Sequence, residues 1–380
     1  MLRSRVCRWA VALAAALGWS GVTLGVEPTK PTEPSRTCEK GPRGTLEVDA
    51  IELIRTGADV AGLAEHTAVH GAYTYRFKNA ENKAAFEADP ARYEIQLGGA
   101  CARMGPLSGA GSPKLHAVHD GRIYIFASGL CKQAFTEDPM LYIDAPDARP
   151  VADAAAIEKG KSLLKRVLAA HGGEEAIRTT KSMRWTIAGD EEYKGEKVKT
   201  GMMLRIGFDP QDTVRMEEWW DKSAWGSAMR GETGWLYDTR SIKTMQAQQR
   251  EELHRISSRS LVAVLRAADE PDAIVAATAA PKGGGELDFV VVWRAGCSSV
   301  LGVDRNSGRV VMQRFRGRGP TLTIGDVEHR FGDFRTVTGV LVPFTIERRF
   351  NGQAWKSGNI AYAEIVANEP VVVEDLAKAK

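Results

Sequence analysis

AVHGAYTYRFKNAENKAAFEADPARY, residues 68–93, returns 49 residues later as AVHDGRIYIFASGLCKQAFTEDPMLY, residues 117–142. Tyr75, Phe77, Phe86, Asp89, Pro90 and Tyr93 meet identical residues at Tyr124, Phe126, Phe135, Asp138, Pro139 and Tyr142. His70 and His119 keep the same offset, as do the Ala-Val pairs before them. A repeat of this kind marks a duplicated small unit rather than part of one large enzyme fold. Each copy reads as a short strand, a Gly turn at Gly71 or Gly121, and a second strand, YTYRF or RIYIF. A helix then begins at Asn79 or Ser128, both good N-cap residues, carries Phe86 or Phe135 inward and stops at Asp-Pro. A ββα unit of under about 50 residues is marginal alone, so two copies are expected to bury their aromatics together.

Outward from the repeat, residues 27–48 are rich in Pro, Thr and charge and read as a linker. The duplicated module spans 49–145, and DAPDARP at 144–150 closes it. Residues 152–169 read as an amphipathic helix ending in His171-Gly172-Gly173, where glycine signals a C-cap. From about residue 180 the pattern turns to successive strands, interrupted by one further helix at 248–267. Arg305-Asn306-Ser307-Gly308 and Asn351-Gly352 read as hairpin loops. No βαβ alternation occurs. The expected fold class is α+β: a small duplicated ββα module, then a meandering antiparallel sheet with helices over 153–378.

The chain has 380 residues, 43% hydrophobic and 26% charged, with formal net charge +3, so nothing in the charge balance points to nucleic acid. Residues 1–26 read as a secretory signal: Arg3, Arg5 and Arg8, an apolar run over 9–17, then small residues with a cut near Gly25. The alternative is an uncleaved N-terminal anchor, since 9–26 carries no charge. Either way the folded part is expected to be periplasmic or secreted. Export changes the meaning of Cys38, Cys101, Cys131 and Cys297, which permit two disulfides in an oxidising compartment in any of three connectivities.

YRFKNAENKAAFEADPARYEIQLGGACA, with Tyr75, Phe77, Asn79, Phe86, Pro90, Tyr93 and Gly98-Gly99-x-Cys101-Ala102, resembles the YHS-domain family over residues 49–145. The resemblance implies a metal-handling module. The residues that would carry it are Cys101, Cys131, His70 and His119, soft thiolate and imidazole ligands that suit copper, zinc or iron. Their spacing forms no CxxC and no helical HxxxH pair. The competing readings are solvated or capped histidines beside the hairpin turns, and a plain disulfide from Cys101 to Cys131 or Cys38.

LAAHGGEEAIRTTKSMRW, GETGWLYDT, GVDRNSGRVV, FGDFRTVTGVLVPFTIE and the closing AEIVANEPV resemble, in order and layout, exported LolA-like lipoprotein-sorting domains over 153–378. That resemblance implies an open antiparallel half-barrel with helices in its mouth and an apolar ligand or lipid inside. Trp185, Met203, Trp219, Trp235 and Phe344 are the expected lining of such a cavity, against the plainer reading that they belong to a sheet core.

No G-x-S-x-G, H-E-x-x-H, P-loop or dinucleotide motif is present, and catalysis is not expected. His171 reads as part of a helix cap, His254 and His329 stand without obvious partners, and Glu217, Glu218 and Asp221 read as a solvated strand end. Three functions follow. The first is an exported two-module binding protein for a soft metal and an apolar molecule. The second is a disulfide-stapled structural or interaction protein of the cell envelope with a protein partner. The third is a thiol-redox enzyme using Cys101.

Overall fold

A computed structural model describes residues 37–38, 41–193, 195–208, 213–280 and 285–377. The leader expected at 1–26 lies outside these residues. The chain is mixed α+β, dominated by strands in two large open sheets, with several helices.

The N-terminal unit places its repeated residues in equivalent elements. Leu63–His70 pairs with Tyr73–Phe77, and Ser112–His119 pairs with Arg122–Phe126, both antiparallel. Each hairpin has a bulge at the same point, between Leu63 and Thr67 in one and between Ser112 and His116 in the other. The helices Ala80–Ala88 and Gly129–Glu137 start where Asn79 Oδ1 accepts from Asn82 N (2.8 Å) and Ser128 Oγ accepts from Cys131 N (3.2 Å). Phe86 lies against Tyr75 and Phe77 at 4.6 and 5.1 Å between ring centroids, and Phe135 against Tyr124 and Phe126 at 5.0 and 5.1 Å. Burying aromatic clusters of this size gives each half a core that its length alone would not supply.

Residues 27–48 are not wholly a linker. Gly44–Leu46 adds a parallel edge to Tyr73–Phe77, and Thr37–Cys38 adds one to Ser241–Thr244 of the first large sheet. The chain before the repeat thus ties the two units together.

The first large sheet runs, in space, Thr37–Cys38, Ser241–Thr244, Thr233–Tyr237, Ser223–Arg230, Thr213–Trp220, Glu196–Gly207, Ser182–Tyr193 and Glu364–Ala367. The second runs Ile274–Thr278, Leu287–Arg294, Cys297–Asp304, Val310–Arg318, Ile324–Val337 and Val340–Phe350, with Gln353–Ala354 and Ile360–Ala361 both paired to the last of these. Tight hairpins make the meander: Asn351 and Gly352 take φ of 47° and 77°, the left-handed pair that a two-residue turn requires.

One core joins the two sheets. Trp185 and Ile206 of the first, and Val290, Leu301, Val303, Val342 and Phe344 of the second, pack with Leu163, Leu164, Val167 and Leu168 of the helix Ala154–Ala170 and Leu261, Val262, Val264 and Leu265 of the helix Leu261–Ala267. The helix expected at 248–267 is two helices, Ala247–Ser258 and Leu261–Ala267, because Ser260 takes an extended backbone and caps the second through Ala263 N (3.3 Å). Leu253 of the first packs on Val214 and Met229 of the first sheet and on Met245 just after it, so this broken segment sits against the sheets' inner faces. Gly160 allows the Ala154–Ala170 helix to touch the second sheet: a Cβ there would lie 2.5 Å from Ala276 Cα.

His171 closes that helix. Its Nδ1 donates to Leu341 O (2.7 Å), its Nε2 accepts from Val310 N (3.0 Å), and its carbonyl accepts from Leu341 N (3.0 Å). The ring is fully buried, and burial pulls its pKa below the usual histidine value. The residue expected at a cap is therefore also the fastening between this helix and two strands.

Candidate functional site

The four residues expected to hold a metal do not converge. Among the described residues no three His, Cys, Asp or Glu side chains are grouped to hold an ion. His70 Nε2 lies 3.0 Å from Glu94 Oε2 with its ring edge on Phe86 (6.0 Å). His119 takes the same place in the second copy, edge-on to Phe135 at 6.3 Å. His116 bonds Pro113 O (2.8 Å) and Asp59 Oδ1 (2.9 Å). Each of these histidines is engaged by contacts within the N-terminal unit.

Cys101 and Cys131 do come together. Leu97, Gly98 and Gly99 all take positive φ, and a Cβ on Gly99 would lie 2.1 Å from the Tyr73 hydroxyl, so only glycine lets this turn deliver Cys101 to the interior. Cys101 and Cys131 are buried free thiols whose side chains interact directly. Burial pushes the Cys101 thiol up to about 11, with Cys131 adding to the rise. They stand 49 residues after Glu52 and Asn82, which hydrogen-bond each other in the first copy (3.3 Å). A polar pair in one unit is a thiol pair in the other. Two buried sulfurs without a third ligand do not fit a three- or four-coordinate centre.

The five residues expected to line an apolar cavity are divided by the sheet. Cross-strand partners share a face, and side chains alternate along each strand. Trp185 lies opposite Leu204 and faces the core, together with Phe344. Met203 lies opposite Glu217, Trp219 opposite Gly201, and Trp235 opposite Ala228, which places all three on the other face. That outer face is covered by the C-terminal segment. Trp235, Ala228, Tyr237 and Ile242 pack with Val373 and Leu376, Arg215 Nη1 bonds Val372 O (2.9 Å) and Asp375 Oδ1 (2.8 Å), and Arg230 Nη1 bonds Glu374 Oε1 (2.5 Å). Glu217 is no solvated strand end either: it is buried between Arg205 (3.1 Å) and Arg215 (3.2 Å).

The inner faces hold what the sequence reading missed. On the first sheet Ile187, Met202, Leu204, Met216 and Trp225 point inward yet are only half-buried. Glu218 is among them, accepting from Trp225 Nε1 (3.2 Å), and burial raises its pKa. Glu252, on the helix between the sheets, is raised for the same reason and by Asp144. On the second sheet Phe315, His329, Phe331, Arg348 and Tyr362 are likewise half-buried. Gln313, His329 and Arg348 form one cross-strand row, in line with Leu301 of the core. His329 is held well below the usual histidine value by burial and by Arg348 and Arg259. These side chains keep some accessible surface on the inner faces of the sheets. Among the described residues, His329 Nε2, Arg348 Nε, Arg259 Nε and Gln313 Oε1 have no hydrogen-bond partner. Buried polar atoms are ordinarily paired, so their concentration on one inner face marks the candidate site. Strand periodicity signals that such residues alternate, but only the register shows which face encloses them.

No protein-family model and no curated protein matches the chain. Partial likenesses occur among solved structures. A DUF1329 family protein from Desulfovibrio piger is 8% identical over 57% of this chain and 95% of its own, with TM-score 0.34. A domain described as outer membrane lipoprotein-sorting from Vibrio parahaemolyticus is 10% identical over 59% and 97%, TM-score 0.32. A LolA superfamily protein from Nitrosomonas europaea is 12% identical over 56% and 94%, TM-score 0.31. No helix among the described residues is long and apolar enough to cross a membrane.

Proposed function

We propose that the C-terminal unit is a binding module that holds an apolar or amphiphilic small molecule between its two sheets, in an exported protein. One observation carries this reading: inward-facing Ile187, Met202, Met216, Trp225, Phe315 and Phe331 remain half-buried although the adjoining core is closed. An apolar surface left unfilled inside a fold forfeits about 25 cal/mol for each Å² that a ligand would cover, and ligand sites are typically concave and mostly apolar with a few polar groups. The test is saturable binding of Nile red by the purified chain, with a blue-shifted emission. Met202→Trp, which fills the recess, is expected to weaken the dye at least tenfold. Absence of saturable binding, or equal binding by the variant, sinks the proposal.

A second reading concerns the N-terminal unit, where the paired Cys101 and Cys131 support a disulfide-stapled scaffold. Oxidation would join the two sulfurs and pass two electrons and two protons to a thiol oxidant of the export compartment. A thiol count under denaturation, with and without reductant, decides it. Two more thiols after reduction, mapped to Cys101 and Cys131, are expected; both free in protein from the oxidising compartment would reject it.

A further inference from the structure

A cation without a counterion stands on the inner face of the second sheet. Arg348 is directly opposite His329 in the strand register, and His329 opposite Gln313. The Arg348 guanidinium stacks on the Trp355 ring at 3.8 Å and donates from Nη1 to Gly358 O at 3.3 Å, a long bond, while its Nε donates to nothing. Among the described residues no carboxylate neutralises it: burial pulls its pKa down to about 10, opposed only by the Tyr362 hydroxyl. His329 stands edge-on to Phe315 (4.9 Å) and Phe331 (6.2 Å), with Nε2 unpartnered. Arg259 closes the row over Phe315 at 4.8 Å, its Nη2 3.6 Å from Asp144 Oδ2 and its own Nε unpartnered.

The chemistry of this group is lopsided. Among the described residues six positions in and beside this row are unpartnered: Arg348 Nε, Arg259 Nε, Trp355 Nε1 and neutral His329 Nε2 can donate, against Gln313 Oε1 and Asp144 Oδ1 as acceptors. A buried guanidinium without a partner is strongly unfavourable. Its fixed fork of donors matches the oxygens of a carboxylate or phosphate. Phe315 and Phe331 beside it supply walls for hydrocarbon.

We propose that Arg348, with His329 and Arg259, binds the anionic head, carboxylate or phosphate, of an amphiphile whose tail lies along the apolar inner faces. The proposal rests on the ligand-binding reading above and adds the class of ligand and its orientation.

The experiment displaces Nile red from the full-length folded chain with dodecanoate, dodecyl phosphate and dodecanol, each below its critical micelle concentration. At least one of the anions is expected to bind tenfold or more tighter than the alcohol, equivalent to about 1.4 kcal/mol. Which anion shows the preference distinguishes a fatty-acid head from a phosphate head. Arg348→Gln should bring all three ligands within about twofold of one another and leave dodecanol unchanged, while Arg348→Lys keeps most of the preference. Equal wild-type affinity for anions and alcohol, or a preference that survives in Arg348→Gln, overturns the head-group site and leaves ligand binding standing. Failure of all three ligands to displace a saturably bound dye overturns the head-group site alone, whereas absence of saturable dye binding overturns both. The wild-type comparison needs no variant, so it decides the matter even if Arg348→Gln fails to fold.

Discussion

Replacing His171 with alanine removes a fastening whose strength can be worked from its bonds. The ring connects Leu341 O (2.7 Å) and Val310 N (3.0 Å), and both its nitrogens are committed. A carbonyl can only accept and a backbone N–H can only donate, so the proton sits on Nδ1 and Nε2 keeps its lone pair. Truncation strands one buried donor and one buried acceptor, at about 1–3 kcal/mol each. The vacated imidazole volume beside Phe334 adds a cavity term. The sum is about 3–6 kcal/mol. A pH signature accompanies it. His171 and His329 are both neutral in the fold, their pKa values lowered by burial. The unfolded chain takes up protons below about pH 6.5 and the folded chain does not, so stability is complete above that pH and falls below it. The loss is up to about 1.4 kcal/mol per pH unit for each histidine. Urea unfolding followed by tryptophan fluorescence measures both effects. The assay is selective, since residues 46–145 contain no Trp and seven lie beyond residue 180. His171→Ala should lower stability at pH 7.5 by about 3–6 kcal/mol and roughly halve the fall between pH 7 and 5.5. A loss under about 1 kcal/mol, or an unchanged pH response, would refute the reasoning.

Other outcomes follow from the same geometry. Gly160→Ala should destabilise despite a gain in helix propensity of about 1 kcal/mol, because its Cβ meets the Ala276 backbone at 2.5 Å; a raised thermal midpoint would show that the helix can lift away freely. Arg215→Met should cost about 3–5 kcal/mol by leaving Glu217 and Asp375 short of a partner, and should expose residues 371–376 to carboxypeptidase; an unchanged digestion pattern would argue against the strap. In the reduced native protein, iodoacetamide at pH 8 should reach half-buried Cys297 before buried Cys101, whose thiol burial pushes up to about 11; equal rates by peptide mapping would contradict that burial. Glu218→Gln should hold or raise stability at neutral pH, since burial disfavours the charged carboxylate and an amide can still accept from Trp225 Nε1; a marked loss would mean the charge has an uncounted partner.

The N-terminal elements were legible because their signals are local. Asn79 and Ser128 cap helices with their own side-chain oxygens, Asp-Pro ends them, and alternating aromatics place one face of Tyr73–Phe77 inward, whereas Arg122–Phe126 is buried on both faces, Ile123 and Ile125 joining the first copy's core. Asn351-Gly352 was legible for the same reason, as a two-residue turn demands left-handed backbone. The break at Arg259-Ser260 was not, since 248–267 keeps an apolar helical spacing and only the cap at Ser260 divides it. Nor were the strands at Thr37–Cys38 and Gly44–Leu46, which are held by distant partners in a segment whose composition reads as linker.

The site residues show where such reading stops. His70 and His119 carry ligand chemistry, but sequence spacing does not reveal that each sits edge-on to the phenylalanine of its own repeat. Cys101 and Cys131 are 30 residues apart in the sequence, and their meeting depends on the glycine turn that Tyr73 packs against. In the sheets, a period of two says that Trp185 and Met203 each have a face, but the pairing of Trp185 with Leu204 puts them on opposite ones. Nothing in the sequence sets Arg348 apart from the neighbouring arginines of its strand. Its meaning comes from three strands in register, which bring it to His329 and Gln313 on the side that faces the core. Partnerlessness is a property of the folded interior alone: a guanidinium in water always has partners, and only enclosure leaves its Nε without one. A candidate ligand site of this kind is therefore invisible in composition and motif and becomes visible once the hydrogen bonds of the inner face are counted.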